Sequence, residues 1–132
     1  MILLDTQVFV WLRNKEPRIG RRSLALIHGA LRGGNAAVSA ISFWEIAMLQ
    51  QKRKLKLPRD LHSWRRSGAG LGIVEIPVRP KVALRAGQIG QLHGDPADRI
   101  ILATALDGHD LVTSDRRVLA WPGPLRRINA RI

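Results

Sequence analysis

Short apolar runs alternate along this chain with segments whose apolar residues recur at helical spacing. The short runs predict five strands, over residues 1–4, 36–40, 72–76, 111–113 and 126–129. The periodic segments predict helices around residues 8–12 and over residues 23–31, 43–52, 58–66, 80–92 and 95–107. Strands that alternate with helices favour an α/β fold, in which a parallel sheet is covered by helices on both faces.

Acidic side chains mark the ends of these buried elements. Asp5 follows the first strand and Asp115 follows the run Leu-Val-Thr-Ser, while Glu45 and Asp98 are expected in the first turns of their helices. In an open parallel sheet, ligands bind outside the carboxyl ends of the strands, where the strand order reverses. Helix N-termini in such folds point to the same edge, so the four carboxylates are expected to converge there.

Each of these acids also has a purely structural explanation. Ser42 and Glu45 have the spacing of a capping box, and Asp98 stands where a carboxylate complements the helix dipole. Asp5 and Asp115 could each cap the helix that follows. Helix capping does not explain why so many of the few acids mark one predicted edge.

A bound cation accounts for that clustering. Two like charges about 4 Å apart repel by roughly 4 kcal/mol at an effective dielectric constant near 20. Oxygen ligands without cysteine favour Mg²⁺ or Mn²⁺ over zinc. The four histidines lie far apart, without metal-ligand spacing, and are expected to be surface or capping residues: His28, His62, His93 and His109.

Composition narrows the class of protein. The 132 residues suit one domain, and Lys plus Arg exceed Asp plus Glu by 22 to 10, a net charge of +12 that attracts phosphate backbones. Aromatic residues are only 5% of the chain, which argues against base-stacking platforms. The absence of cysteine suits a reducing cytosol. No apolar run is long enough for a membrane span, and the start does not resemble a signal peptide, so a cytoplasmic protein without membrane association is expected.

Three further segments carry weaker signals. Residues 68–72 hold three glycines but precede a strand, so they predict a turn and not a dinucleotide-binding loop. Asp95 is expected to be a helix N-cap, with Pro96 at the first helical position. The basic run 52–56 either complements the C-terminus of its helix or contacts phosphate, and the sequence leaves both open.

Four motifs, taken in order, resemble those of the PIN-domain ribonucleases, and most closely the VapC-type toxins of type II toxin–antitoxin pairs. They are Leu-Leu-Asp-Thr at 3–6, Ser-Ala-Ile-Ser-Phe-Trp-Glu-Ile-Ala at 39–47, His-Gly-Asp-Pro-Ala-Asp-Arg at 93–99 and Leu-Val-Thr-Ser-Asp at 111–115. The resemblance covers nearly the whole chain, which is then expected to form a single PIN domain over residues 1–132. One departure is Gln7, where many relatives have His, a position that is not among the family's metal ligands.

The resemblance implies a three-layer α/β/α sandwich with a parallel sheet of about five strands. It implies cleavage of RNA (tRNA, rRNA or mRNA) that depends on Mg²⁺ or Mn²⁺, leaves 5′-phosphate and 3′-hydroxyl ends, and inhibits translation. Asp5 and Asp98 are then the firmest metal ligands, and Glu45 and Asp115 complete the catalytic site. Thr113 would support the site through its hydroxyl.

For Arg99 the resemblance leaves two roles open, steadying the site or contacting phosphate. It further implies a homodimer and a VapB-like antitoxin that blocks the site, in a heterotetramer or a larger complex.

Two other interpretations stay open on the sequence. A nuclease that cuts DNA could carry the same acidic site, although DNA-binding extensions would demand more chain. A non-catalytic basic module that binds nucleic acid would use the carboxylates only as helix caps. A phosphoacceptor receiver domain is more distant, because it needs an acidic pair after the first strand, where only Asp5 stands.

Overall fold

Five strands and seven helices alternate in a computed structural model, which describes every residue, Met1–Ile132. The strands are β1 (Ile2–Leu4), β2 (Ala36–Ser39), β3 (Val74–Ile76), β4 (Asp110–Thr113) and β5 (Arg127–Asn129). The helices are α1 (Thr6–Arg13), α2 (Arg21–Arg32), α3 (Ala40–Gln51), α4 (Leu61–Ser67), α5 (Pro80–Gln88), α6 (Pro96–Ala105) and α7 (Arg116–Leu119). The expected α/β fold is confirmed.

The strands form one parallel sheet in the order β3-β2-β1-β4-β5. The chain builds outward from β1 on one side and then returns to add β4 and β5 on the other, so the strand order reverses between β1 and β4. Leu4 pairs with Val112 in the register of these two strands, which sets Asp5, just past the end of β1, beside Thr113, the last residue of β4. Parallel sheets open a crevice at such a reversal point.

Successive side chains of each central strand point to opposite faces of the sheet and pack in two separate cores, which gives the three-layer sandwich. Leu4, Val38 and Val112 point to one face, where they pack with side chains of α1, α2, α3 and α4. Leu3, Ala37 and Leu111 point to the other face, against α6 and α7. Helix α5 adds to that second layer by packing on α6. Because both faces of the central strands are covered, β1 is wholly apolar and β2 and β4 are mostly apolar, as buried parallel strands usually are, while the edge strands β3 and β5 carry charged residues.

Several predicted boundaries were wrong, for local reasons. The helix expected from Pro58 begins at Leu61, because Asp60 caps it by accepting hydrogen bonds from the amides of His62 and Ser63. Ala40 opens α3 and does not end β2, since Ser39 is the N-cap. The predicted turn at residues 68–72 is confirmed as a short 3₁₀ turn that ends at Gly72, whose φ of +77° suits glycine.

No helix in the molecule combines the length and the apolar character needed to cross a lipid bilayer.

Candidate metal centre at the strand reversal

A polar cleft of about 580 Å³ opens outside the carboxyl ends of β1 and β4. All four carboxylates singled out from the sequence line it: Asp5, Glu45, Asp98 and Asp115. The N-cap carboxylate of Asp95 lies in the same cleft. Cationic side chains also line it, namely Arg18, Lys54, Lys56 and Arg117. The convergence expected from strand ends is therefore present in the fold.

Asp5 is the most enclosed of these acids, with only 9% of its surface exposed. Its Oδ1 accepts a 2.9 Å hydrogen bond from the amide of Val8 and so caps α1, while its Oδ2 accepts a hydrogen bond from the hydroxyl of Thr113. Burial raises the pKa of Asp5 to about 6, although both hydrogen bonds oppose that rise. The charge of Asp98 raises the pKa further, so the two acids share one electrostatic environment.

Thr113 connects two of the acids through one buried hydroxyl. Its Oγ1 donates to Asp5 and accepts a 3.1 Å hydrogen bond from the backbone amide of Asp115. The parallel register of β1 and β4 puts these groups side by side. Thr113 therefore links Asp5 to the start of α7, and its support of a metal site stays a prediction.

Asp98 stands in the first turn of α6 and is held by a histidine. Its Oδ2 lies 2.7 Å from Nε2 of His93, and both side chains are largely buried. Burial raises the pKa of Asp98, and the charges of Asp95 and Asp115 add to that rise, while the bond to His93 opposes it. Asp95 caps α6 as predicted, by accepting hydrogen bonds from the amides of Ala97 and Asp98.

Asp115 caps α7 and pairs with an arginine. Its Oδ1 accepts from the amide of Arg117 at 2.8 Å, and its Oδ2 lies 3.3 Å from Nη2 of the same residue. Partial burial favours the protonated form, but the hydrogen bonds from Arg117 and Val118 outweigh it and lower the pKa of Asp115. Nη2 of Arg117 also comes within 3.8 Å of Asp98, so one exposed guanidinium faces two of the carboxylates.

Glu45 reaches the cleft from a different place in its helix than expected. It lies in the second turn of α3 and not the first, because the helix begins at Ala40, five residues before it, with Ser39 as the N-cap. The predicted capping box with Ser42 is therefore wrong, and the buried Ser42 hydroxyl instead accepts a 2.8 Å hydrogen bond from Thr6. Burial raises the pKa of Glu45, with further contributions from the charges of Asp98 and Asp95.

The donor set suits a hard divalent cation. Ligand atoms of His93, Asp98 and Asp115 all lie within 4.8 Å of one another. Asp5 and Glu45 lie outside that group but line the same cleft, and burial raises the pKa of both acids. Carboxylates that resist ionisation next to one another are stabilised by a cation between them. Nδ1 of His93 is buried and has no hydrogen-bond partner.

Arg99 points away from this group. Its guanidinium donates five hydrogen bonds to backbone carbonyls at the end of α5 and in the connection to α6, those of Ala86, Gly87, Ile89, Leu92 and His93. Because its donors are already engaged, the geometry does not favour contact between Arg99 and phosphate, and that role stays a prediction. The contacts fit the other expected role, since they hold the connection that carries His93.

Gln7 also makes a structural contact beside the cleft. Its Oε1 accepts a 2.7 Å hydrogen bond from the hydroxyl of Ser114, which ties α1 to the end of β4 beside the cleft. Gln7 itself lines the cleft. A glutamine at this position therefore supports the junction between the two strands that carry Asp5 and Asp115.

Two residues of the site were missed by sequence reasoning. His93 was expected on the surface or at a cap, and Arg117 was not singled out. Spacing between histidines could not reveal His93, since its partner is a carboxylate and not another imidazole. The available signal was its position five residues before Asp98, across a Gly-Asp-Pro turn that brings the two side chains together.

Comparisons with known proteins point to one family. The model of the PIN domain family matches residues 2–121. The chain is 36% identical over 125 residues to Ribonuclease VapC22 of Mycobacterium tuberculosis (strain ATCC 25618 / H37Rv), and the match covers 93% of each protein.

Solved structures show the same fold at low sequence identity. VapBC2 from Rickettsia felis, bound to a DNA fragment from its promoter, superimposes with a TM-score of 0.65 at 22% identity over 98% of both chains. A toxin–antitoxin complex from Klebsiella pneumoniae has a TM-score of 0.61 at 23% identity, also over 98% of both chains. The sequence matches and the site together show that this chain belongs to the PIN-domain family, among its VapC-type members.

Proposed function

We propose that the protein is an endoribonuclease dependent on Mg²⁺ or Mn²⁺, acting in the cytoplasm as the toxin of a toxin–antitoxin module. Its proposed reaction is hydrolysis of RNA, with inhibition of translation as the consequence. The observation that carries the proposal is the set of four carboxylates lining one cleft in a chain of net charge +12. An acidic site that faces an acidic polymer requires a cation, and the basic surface attracts the remaining phosphates.

In this proposal Asp5 and Asp98 hold the cation most directly, with Asp115 and Glu45 completing the site. When bound, the cation supplies Lewis-acid stabilisation of phosphate charge and lowers the pKa of water. Thr113 keeps one oxygen of Asp5 fixed, and His93 does the same for one oxygen of Asp98. Partners of this kind orient metal ligands in many sites.

Glu45 is the residue we assign to the attacking water. It lines the cleft half-buried, and burial raises its pKa, which favours a carboxylate able to accept a proton. Attack of water on phosphorus breaks the bond to the 3′-oxygen, which takes a proton from solvent and leaves as a 3′-hydroxyl, while the phosphate stays on the 5′-end. Glu45 orients that water and takes up its proton.

A VapB-like antitoxin is the partner we propose for the cleft. The similar structures from Klebsiella pneumoniae and Rickettsia felis are a toxin–antitoxin complex and VapBC2. The role of the antitoxin would be to cover the carboxylates and exclude RNA. We also propose a homodimer, alone or within a heterotetramer or larger complex, and light scattering on the free and antitoxin-bound protein measures both.

The test is cleavage of total RNA by purified wild type and Asp98→Asn, each with Mn²⁺, Mg²⁺ or EDTA. Wild type is expected to give discrete fragments only with a metal ion, and Asp98→Asn none. Asp110→Asn is the matched control, because Asp110 lies at the opposite end of β4 in an exposed pair with Arg126. A single-stranded DNA of the same length separates an RNA-specific enzyme from a DNA-cutting one. Cleavage by Asp98→Asn at the wild-type rate would refute the assignment.

A further inference from the structure

The segment that follows α3 has a defined conformation despite its basic composition. Lys52 is the C-cap of the helix, and Arg53 adopts a left-handed conformation with φ of +56°. The amide of Lys54 then donates a 2.9 Å hydrogen bond to the carbonyl of Leu49. This pattern terminates a helix and satisfies its last carbonyls with backbone amides. The α3 C-terminus therefore needs no lysine side chain to complete it.

Two leucines and a glutamine anchor the residues beyond. Leu55 and Leu57 are partly buried against the core shared by α1, α3 and α4. The side-chain amide of Gln50 donates to the carbonyls of Leu57 and Pro58, the latter at 3.0 Å. With alternate residues held inward, Lys54 and Lys56 are both exposed.

Lys54 and Lys56 line the same cleft as the four carboxylates. Neither ammonium group takes part in any ion pair of the molecule. Arg18 joins them on the cleft, where its guanidinium lies 5.7 Å from the ring centre of Trp11 and makes one loose contact of 3.8 Å with Glu16. We call Lys54, Lys56 and Arg18 the basic wall of this cleft, which the four carboxylates and Glu16 also line.

We propose that the basic wall, Lys54, Lys56 and Arg18, binds phosphates of the RNA backbone next to the scissile one and positions the strand across the carboxylates. This inference rests on the proposed ribonuclease function. Lysines act as point charges toward phosphate, so the wall recognises backbone without reading sequence. An RNA strand whose phosphates contact the basic wall would lie along the cleft, and the carboxylates would remain free to bind the cation.

The test compares wild type with the double variant Lys54→Ala/Lys56→Ala. The control is Lys52→Ala/Lys81→Ala, which also removes two positive charges, but from residues that do not line the cleft. One of them, Lys52, lies in the same segment as Lys54 and Lys56. Binding of a fluorescent oligouridylate RNA of about 20 nucleotides is measured in EDTA at several salt concentrations. Cleavage of a substrate RNA, identified from total-RNA products, is measured separately with Mn²⁺.

The wall variant is expected to bind with a salt dependence weaker by about 1.4 in the slope of log K against log salt, since each phosphate contact to a single strand contributes about 0.7. Its KM for cleavage should rise about fivefold or more, with kcat within about twofold of wild type. The control pair should change the slope by less than half as much. If the effect came only from lost positive charge, the salt slope and KM would change equally in both variants. If it came from lost folding, kcat would fall as well.

Equal slopes and equal KM values for the wall variant and the control pair would overturn the proposal. Wild-type protein that fails to bind the oligonucleotide even at low salt would also overturn it. If wild type binds with the expected lysine dependence but cleaves no RNA, the basic wall stands as a phosphate-binding surface and the ribonuclease proposal fails. The two failures are therefore distinguishable.

Discussion

Replacement of Asp5 by asparagine is predicted to stabilise the metal-free protein at neutral pH while abolishing its activity. Burial raises the pKa of Asp5 from its usual 3.8 to about 6. One pKa unit corresponds to about 1.4 kcal/mol, so ionising this group in the folded state costs about 3 kcal/mol relative to the unfolded chain. Asparagine has nearly the same shape and no charge, and it can still accept from the Val8 amide.

The pH dependence has a definite sign. Because the pKa of Asp5 is higher in the folded than in the unfolded state, its contribution to stability is fully present below about pH 4 and is lost as pH rises through about 6. Wild type and Asp5→Asn should therefore have similar free energies of unfolding near pH 4 in EDTA. At pH 7 the variant should be more stable by about 3 kcal/mol, or about 10 °C in Tm.

Urea denaturation followed by circular dichroism, at both pH values and with and without Mg²⁺, measures these differences. Mg²⁺ at ten times its Kd should add about 1.4 kcal/mol to wild type at pH 7 and much less to the variant. Asp115→Asn is the contrasting control, because the pKa of Asp115 is lowered and removing its charge should not stabilise the protein. An Asp5→Asn variant that is no more stable than wild type at pH 7 would refute the reasoning.

Three more substitutions test single contacts. His93→Ala should weaken Mn²⁺ binding, measured by calorimetry, by about 10- to 100-fold. His93→Gln keeps a donor for Asp98 and should weaken it much less, and equal losses in the two variants would contradict an orienting role. Arg99→Ala should lower the free energy of unfolding in urea by about 3 kcal/mol, and Arg99→Lys by nearly as much, since one ammonium cannot make the five hydrogen bonds of the guanidinium. Full stability of the lysine variant would contradict this prediction. Gly20→Ala should cost about 1–3 kcal/mol, because its Cβ would lie 2.2 Å from the carbonyl carbon of Ile132; an unchanged Tm would show that the tail moves freely.

The sequence was most informative where chemistry coincides with the end of a regular element. Asp5 and Asp115 follow apolar strands, and the ends of parallel strands share one edge, so their meeting could be predicted without coordinates. Asp98 was found by the same logic from an N-cap, a proline and an apolar helix.

Contacts that depend on irregular segments were not predictable in this way. The pairing of His93 with Asp98 depends on the turn before α6, and that of Arg117 with two carboxylates depends on a helix of four residues. The predicted start of α4 was wrong for a related reason, since Leu55 and Leu57 pack on the core just before the helix, which begins only after the N-cap Asp60. Tertiary packing overrides local propensity at such places.

Helix capping and metal binding are not competing explanations of this acidic edge. Asp5, Asp98 and Asp115 lie at the N-termini of α1, α6 and α7, where backbone amides and the helix dipole stabilise negative charge. That stabilisation offsets part of the repulsion and lets the chain fold before any cation binds. Two of these acids, Asp5 and Asp115, are N-caps, and asparagine caps a helix about as well as aspartate. Asp5→Asn therefore keeps the cap and removes the ligand charge, so activity lost without loss of stability separates the two roles at that position. Asp115→Asn also keeps the cap, but it gives up the pairing with Arg117 that lowers the pKa of Asp115, so some loss of stability should accompany it.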